Sequence, residues 1–411
     1  MNDKAKKGSW ALAFTVASMW FGTHVGAGFA TGNQVVGYFS QYGYTAAIYP
    51  ILAMGILALC MYAIMKFAKV NNFANYKDTF RALYPKPWME VFFEVFYIVI
   101  ILAAVAGCIT GAANVIAKFV GETNYGVAGH AGTTWIFNII VTAMLIVLSI
   151  FGVQLVRMAS TVLTVAIIVV SIIVVITGFA ASDTINAMLA QYPEIEAAAY
   201  NPDQLNAFWR GVIVYAGFQC VSLPSMIAGA SDMNLKGVKR SCILGWIMNG
   251  GILALMGAML AKWYPLLQGM VNAGADFYGQ FNLGGIPTAI PNLTVLTFVG
   301  ITALVAVYSF LLFCAFVSTS VTLIYSMIDR FTPYMFPKYI KNAQVRSILV
   351  GVVVIGCCLL IAPLGLSNIT KLLYGYDGYY AILVIFIPAI IWAIPKTKAK
   401  MAELKAEGKE V

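Results

Sequence analysis

The chain has 411 residues, of which 61% are hydrophobic and only 10% are charged. Soluble globular domains carry a charge on about a quarter of their residues, so this composition excludes that class and predicts an all-α polytopic membrane protein. In such a protein the formal net charge of +9 first reports orientation, and we do not interpret it as a nucleic-acid-binding surface. We therefore expect the lipid bilayer as a partner and no nucleic acid.

Ten apolar stretches follow one another along the chain, and each reaches about the 20 residues that a membrane-spanning helix requires. They lie at roughly 9–39, 44–68, 88–119, 133–152, 155–180, 206–231, 239–264, 292–328, 345–363 and 373–395. We number them spans one to ten in chain order. Spans one, three and eight exceed the required length, so we expect each to be tilted, broken or extended beyond the bilayer.

The basic residues of the loops are distributed unevenly between the two sides of the membrane. Of the 25 lysines and arginines, 21 fall on the side that carries both termini, and four fall on the other side. Because cytoplasmic loops are enriched in lysine and arginine, both termini are predicted to be cytoplasmic. We expect an integral protein of the bacterial plasma membrane, with one transmembrane domain at 1–395 and a charged cytoplasmic tail at 396–411.

Span one contains the sequence FGTHVGAGFATGNQ at 21–34, with four glycines and one of the two histidines of the chain. A glycine inside a helix costs about 1 kcal/mol relative to alanine, so this cluster predicts an interruption near 22–28. Backbone left unpaired at membrane depth must be buried in protein or line a cavity. The alternative is a packing face, because Gly22 and Gly26, and Gly28 and Gly32, have small-xxx-small spacing.

Span six repeats this feature in the second half of the chain. It reads WRGVIVYAGFQCVSLPSMIAGAS and contains Gly217, the polar Gln219 and Pro224. Spans one and six are five spans apart, so they cross the membrane in opposite directions. Interrupted spans at corresponding positions of two inverted halves indicate the binding site of a secondary transporter. The halves are predicted at about 9–180 and 206–395.

These features resemble the LeuT-type fold of the amino acid–polyamine–organocation superfamily, which has ten transmembrane helices in a 5+5 inverted repeat with helices 1 and 6 broken. The stretch GAGFATGNQ is also similar to the signature of the YkvI-like membrane proteins, and Gly26 to Phe29 resembles the Gly-x-Gly of amino-acid permeases. The resemblance implies a secondary active transporter, not an enzyme, with no resident cofactor.

The resemblance also implies a sodium ion as the coupling ion. Its ligands would be the carbonyls of Gly22 and Val25 in span one, the carbonyl of Ala315 and the hydroxyls of Ser318 and Thr319 in span eight. The last three have i, i+3, i+4 spacing and therefore share one helical face. Alternatively, these hydroxyls bond to their own helix backbone or pack between helices.

The substrate would lie between the two interruptions. The amide groups near Gly26 to Gly28 offer the positive end of a half-helix, which suits a carboxylate. The full set of predicted substrate-binding residues is His24, Gly26, Ala27, Gly28, Thr110, Asn114, Tyr215, Gly217, Phe218, Gln219 and Tyr308. An intramembrane histidine is a functional candidate by default, either binding substrate or carrying a coupling proton, and the alternative is a neutral structural histidine.

We therefore predict sodium-coupled symport of a small amino acid or related zwitterionic solute by alternating access. One alternative is a receptor-like membrane subunit of the same fold, which binds a solute without transporting it. Two others are proton coupling, and an organic-cation carrier with a cation–π cage of Trp20, Phe29, Tyr215 and Phe218. The organic-cation carrier is weakened because no acidic residue adjoins those rings in the sequence.

Three acidic residues in the spans are candidates for ion pairs or gates. Glu90 and Glu94 share one face near the cytoplasmic start of span three, so we expect them to pair with nearby lysine or arginine, or to form part of an inner gate. Asp377 lies among four tyrosines near the external end of span ten. It is a candidate for an outer gate, with Arg210 as a possible partner.

Overall fold

A computed structural model describes residues 8–408 other than 123, 128, 129, 152, 282–286 and 338. Every regular element within these residues is helical. Eight of the described helices are long and apolar enough to cross a membrane, and a pair bent by 66° at 165–191 raises the number to nine. Span one has the composition of a membrane helix, but its α-helix ends after 15 residues, which is too short to cross a bilayer unbroken.

The bounds of the spans follow the apolar stretches of the sequence. Span one consists of Trp10–His24, Val25–Phe29 and Asn33–Tyr38. Spans two to five are Tyr49–Val70, Glu90–Phe119, Ala131–Phe151 and Val153–Ala180. Spans six to ten are Gln204–Ala230, Leu235–Ala273, Thr302–Phe331, Ala343–Ile361 and Leu366–Ala406. The final helix, Ile394–Ala406, runs through residue 396, so the charged tail begins as a continuation of span ten.

The interruption of span one lies at Gly26, inside the predicted segment. A π-helical turn covers Val25–Phe29, and Gly26 leaves the helical region with φ −46° and ψ −164°. The chain turns again at Gly32, whose φ of +83° favours glycine. The α-helix resumes at Asn33–Tyr38. Gly26, which leaves the helical region, and Gly32, which adopts a positive φ, therefore divide span one into two helical halves.

Span six is interrupted in a milder way than span one. Its hydrogen-bonding pattern changes from π-helical over Trp209–Val214 to α-helical over Tyr215–Phe218 and then 3₁₀-helical over Gln219–Ser222. Gln219 stays in the right-handed helical region, with φ −70° and ψ −5°. The backbone therefore shifts its hydrogen-bond partners at the predicted position and does not unwind there.

Two predicted boundaries need correction. Span eight does not begin at 292, because Pro291–Val299 is a separate helix. Gly300 ends that helix in the left-handed conformation, with its N–H donating to the carbonyls of Leu296 and Thr297, and span eight starts at Thr302. Span seven does not end at 264 but continues to Ala273 with Pro265 inside it.

Close helix approaches at two glycines position the centre of the molecule. A Cβ at Gly245 of span seven would lie 2.1 Å from the ring of Trp20, so the bare glycine lets span one lie directly against span seven. A Cβ at Gly217 of span six would lie 2.4 Å from the carbonyl oxygen of Gly378 in span ten. Spans one and seven, and spans six and ten, therefore approach each other closely, while the segment Val25–Phe29 that contains Gly26 packs against spans three and eight.

Candidate functional site

The ring of His24 lies at the interruption and connects three spans. His24 is the last residue of the first α-helix and is 3% exposed. Its Nδ1 lies 2.5 Å from Oδ1 of Asn249 in span seven, and its Nε2 lies 3.0 Å from the hydroxyl of Tyr215 in span six. The imidazole therefore bridges the two predicted interruptions through Tyr215.

The neighbouring groups fix the tautomer of His24. Nδ2 of Asn249 donates to the carbonyl of Gly245 at 2.8 Å, so the atom of Asn249 that faces the ring is an oxygen, which only accepts. Nδ1 of His24 must then carry a proton, and in the neutral ring Nε2 accepts from the Tyr215 hydroxyl. The ring is thus held in one orientation by one acceptor and one donor.

Two glutamine side chains extend this polar network. The Tyr215 hydroxyl is also 3.3 Å from Oε1 of Gln34, and Nε2 of Gln219 is 3.4 Å from the same oxygen. A Cβ at Gly28 would overlap the Gln34 side chain at 2.1 Å, so the bare glycine makes room for that amide. Because Tyr215 has one proton to donate, His24 and Gln34 compete for it.

A small cavity of about 20 Å³ opens beside this network. It is lined by Thr23, His24, Gly26, Gly28, Gln34, Ile100, Ala104, Gln219, Val221, Thr319, Leu323 and Tyr374. That volume holds about one water molecule. The cavity must therefore widen before a solute of amino-acid size can enter, and the described conformation is closed around its centre.

A layer of aromatic rings covers one side of the cavity. The ring centroids of Tyr215 and Phe218 are 4.8 Å apart, and that of Phe218 is 5.2 Å from Tyr38 and 5.1 Å from Tyr374. The Tyr38 hydroxyl donates to a carbonyl of span ten at 2.9 Å. The guanidinium of Arg210 lies 5.5 Å from the centroid of Tyr38, on the rim of the layer. These rings tie spans one, six and ten together.

Thr319, a predicted sodium ligand, lies next to the interruption. A Cβ at Gly26 would be 3.3 Å from Cγ2 and 3.9 Å from Oγ1 of Thr319, so the missing side chain lets the two spans touch. The segment Val25–Phe29 packs against span eight. Ala315 is buried, and Gly22, Ser318 and Thr319 are half-buried. The structure therefore brings Thr319 of span eight to the broken part of span one.

Several solved structures share this arrangement of helices. A Na⁺-coupled sialic acid symporter in a substrate-bound outward-open state aligns with 91% of this chain and 79% of its own, with a TM-score of 0.57 and 16% identity. MhsT in complex with L-phenylalanine aligns with 95% of this chain and 98% of its own, with a TM-score of 0.52 and 15% identity. The fold is of the LeuT type.

A third solved structure is a mutant of the manganese transporter of Eremococcus coleocola. It aligns with 92% of this chain and 78% of its own length, with a TM-score of 0.53 and 11% identity. No protein-family model and no curated protein matches the sequence. The LeuT-type fold is thus established by three-dimensional similarity at low sequence identity.

Some predicted substrate residues lie away from the central cavity of this LeuT-type fold. Thr110 and Asn114 line a second cavity, of about 350 Å³, formed with the start of span four and the 363–368 corner. The Tyr308 hydroxyl donates to the carbonyl of Ala30 and accepts from Nδ2 of Asn292 at 3.0 Å. The sequence defines which face of a helix is polar, but not how that helix is rotated toward its neighbours.

Two further predicted residues of span six have packing contacts instead. Gly217 is covered by the backbone of Gly378, and Phe218 belongs to the aromatic layer. Neither lines the central cavity. Of the predicted substrate set, the structure places His24, Gly26, Gly28 and Gln219 at that cavity, with Tyr215 directly behind His24.

Three residues of the central site had no assignment from the sequence. Asn249 binds the ring of His24, Gln34 joins the polar network, and Tyr374 lines the cavity. Asn249 was recognisable only as a lone amide in an apolar span. Gln34 stands in the quoted glycine-rich stretch itself, so its polarity there was the one signal available.

The structure confirms one of the predictions made for the acidic residues of the spans and not the other. Glu94 pairs with Arg330 at the end of span eight, and Glu90 lies 4.0 Å from Lys77 and from Arg81, so the predicted pairing is confirmed. The candidate pair of Asp377 and Arg210 is not formed among the described residues, because Arg210 lies over the ring of Tyr38 and the Asp377 carboxyl is buried without it.

Proposed function

We propose that the chain is a secondary active transporter that couples sodium to the symport of a small amino acid or related zwitterionic solute by alternating access. The observation that carries this proposal is the interruption at Gly26, which brings irregular backbone, the His24 ring and Thr319 of span eight to one cavity. The Na⁺-coupled sialic acid symporter and the L-phenylalanine complex of MhsT support the same class of function.

The chemistry of the cavity wall favours a zwitterion over a solute with a net charge. The lining residues are apolar, hydroxyl, amide or imidazole side chains together with the bare backbone of two glycines. The backbone N–H groups after the interruption suit a carboxylate, as other helix starts do. Carbonyl oxygens can accept a further hydrogen bond, so those of the irregular turn suit an ammonium group.

Sodium would be held by oxygen atoms of spans one and eight. We assign the carbonyls of Gly22, Val25 and Ala315 and the hydroxyls of Ser318 and Thr319 to this role. Sodium is a hard cation that prefers oxygen ligands, and the contact between Gly26 and Thr319 supports the assignment. Proton coupling through His24 is the alternative for the coupling ion.

The proposed placement in the cell follows from the loop charges. Both termini lie in the cytoplasm of a bacterial cell, and the two inverted halves cover about 9–180 and 206–395 of one transmembrane domain. Within the LeuT-type fold, we assign the chain to the YkvI-like membrane proteins because its GAGFATGNQ stretch resembles their signature. The family level of this proposal rests on that short stretch alone.

A thermal-shift screen of amino acids and amines on the purified full-length protein tests the proposed function. We expect one zwitterion to stabilise the protein, and to do so more strongly in sodium than in potassium, because a ligand stabilises the folded state that it binds. Uptake of that compound into proteoliposomes then separates a transporter from a receptor-like subunit. Stabilisation without sodium-driven uptake would favour the receptor.

A matched pair of threonine variants in span eight tests the sodium assignment. Thr319→Ala removes one proposed hydroxyl ligand, so we expect sodium affinity to fall about tenfold, as loss of one good hydrogen-bond-like contact would cause. Thr322→Ala is the control, because its exposed hydroxyl bonds to the carbonyl of Ser318 within the same helix. Equal sodium affinity in both variants would exclude Thr319 as a ligand.

A further inference from the structure

Span ten carries a buried carboxyl group that the proposed sodium and solute sites do not use. Asp377 is 3% exposed, and it is the only aspartate or glutamate among the described residues that is buried. Its Oδ2 atom has no hydrogen-bond partner within the described part of the chain. An ionised carboxylate in that position would be an uncompensated charge.

The backbone is irregular on both sides of Asp377 in span ten, and also in the part of span six that packs against it. Asp377 stands in the α-helical turn Gly375–Ala381, which lies between π-helical segments at Ile369–Tyr374 and Ile382–Phe386. This turn packs against Tyr215–Phe218 of span six, which is itself flanked by π- and 3₁₀-helical segments. Such interruptions of regular helix occur frequently at functional sites.

Span six and span ten approach each other unusually closely at this level. A Cβ at Gly378 would lie 2.4 Å from the carbonyl oxygen of Val214, and a Cβ at Gly217 would lie equally close to the carbonyl oxygen of Gly378. The two backbones therefore touch without side chains between them. A movement of span six relative to span ten would open this seam next to Asp377.

The titratable groups that face Asp377 are neutral thiols and phenols. Cys220 of span six and Tyr374 and Tyr380 of span ten lie within its electrostatic reach. Cys60 of span two adjoins Cys220, and Cys108 of span three lies near Tyr374. The nearest arginine on span six, Arg210, lies over the ring of Tyr38. None of these groups supplies a cation to an ionised Asp377.

We propose that Asp377 is a proton-binding site, separate from the cavity at His24, which holds a proton in this closed conformation and exchanges it when spans six and ten separate. The proton adds to a carboxylate oxygen from water and returns to water on release, so no redox partner or further reagent is involved. The chain would then move a proton during its conformational cycle in addition to the proposed sodium ion. This movement of the proton, unlike its binding at Asp377, rests on the proposed transport function.

Infrared spectroscopy of the full-length protein in a detergent without ester groups tests the site without any solute, because lipid esters absorb in the same region as a carboxylic acid. At pH 7 we expect the carbonyl band of a protonated carboxylic acid in the wild type and its loss in Asp377→Asn. Asp203→Asn is the control, because Asp203 is an exposed residue that caps the helix Gln204–Phe208. A missing band in the wild type, or a band that persists in Asp377→Asn, would overturn the site.

A second measurement covers the case in which Asp377→Asn fails to fold. Aspartate labelled with ¹³C in its carboxyl group shifts the band in the wild type if an aspartate carries the proton. The other aspartates whose side chains the structure describes are exposed. A band that does not shift with the label would assign the proton to a glutamate and overturn the proposal.

Proteoliposomes test whether this proton moves with transport. With an internal pH dye and the solute identified by the thermal-shift screen, we expect uptake by the wild type and by Asp203→Asn to be accompanied by proton movement, and Asp377→Asn to lose that movement. Proton movement that persists in Asp377→Asn would refute the coupling role. Absence of any uptake would refute the proposed function, and the infrared result would still decide the site.

Discussion

The interruptions of spans one and six occupy corresponding positions in the two halves, but they differ in kind. At Gly26 the backbone leaves the helical region altogether. At Gln219 it stays helical and only exchanges one hydrogen-bonding pattern for another. Span one therefore contributes irregular backbone as well as the side chains of His24 and Gln34 to the centre of the molecule, whereas span six contributes side chains such as those of Tyr215 and Gln219.

This difference follows from what each glycine faces. Gly26 faces a threonine side chain and a cavity, and its carbonyl oxygen accepts from the N–H of Ala30. Gly217 faces the backbone of span ten at a distance that no side chain could fit. Glycine thus interrupts the helix of span one, whereas in span six it allows the helix to pack closely against span ten.

The largest effect is expected from Gly217→Ala. The added methyl group would overlap the carbonyl oxygen of Gly378, which belongs to a helix backbone and cannot rotate away. We expect a loss of about 3 kcal/mol of stability, at the upper end of the range for overpacking, seen as a lower thermal midpoint. Gly251→Ala is the control, because nothing lies within 4 Å of its Cβ position. Equal midpoints would show that spans six and ten are not fastened at this glycine.

A smaller effect, on binding, is expected from Gly26→Ala. Alanine favours continuous helix by about 1 kcal/mol, and its methyl group would press on Thr319. Together we expect about 2 kcal/mol of lost binding, or roughly a 30-fold weaker solute affinity in sodium. Gly37→Ala serves as the control in the same span, since its Cβ position is open. Unchanged affinity in Gly26→Ala would mean that the interruption does not bind the solute.

The smallest of these effects is expected from Tyr215→Phe. The variant keeps the ring in the aromatic layer but removes the hydroxyl that bonds to His24 and Gln34. We expect a loss of about 1 kcal/mol in solute binding, with thermal stability little changed. Tyr49→Phe is a matched control, because Tyr49 is a half-buried tyrosine at the start of span two. A large loss of stability with unchanged binding would make the hydroxyl structural.

The sequence predicted the helical membrane fold and the interruption at Gly26, because apolar length and clustered glycines act locally. It did not separate Pro291–Val299 from span eight, since Gly300 stands in an apolar run and glycine is common in membrane helices. It grouped Thr110 and Asn114 with His24, whereas they line a second cavity. It missed Asn249, whose contact with His24 depends on the close approach at Gly245. The rotation of each helix, and the contacts between residues that are distant in sequence, are set by packing between spans.

The solute affinity of His24→Gln tests the central claim most directly, namely that the solute binds at the interruption beside this ring. The measurement uses the zwitterion selected by the thermal-shift screen, in sodium, across roughly pH 5.5 to 8.5, which brackets the ordinary titration of imidazole. His130→Gln is the matched control, because His130 is the other histidine of the chain and is exposed. We expect His24→Gln to bind about tenfold more weakly at every pH, which corresponds to about 1.4 kcal/mol, and His130→Gln to match the wild type. Equal affinities of well-folded His24→Gln and wild type at every pH would contradict the claim.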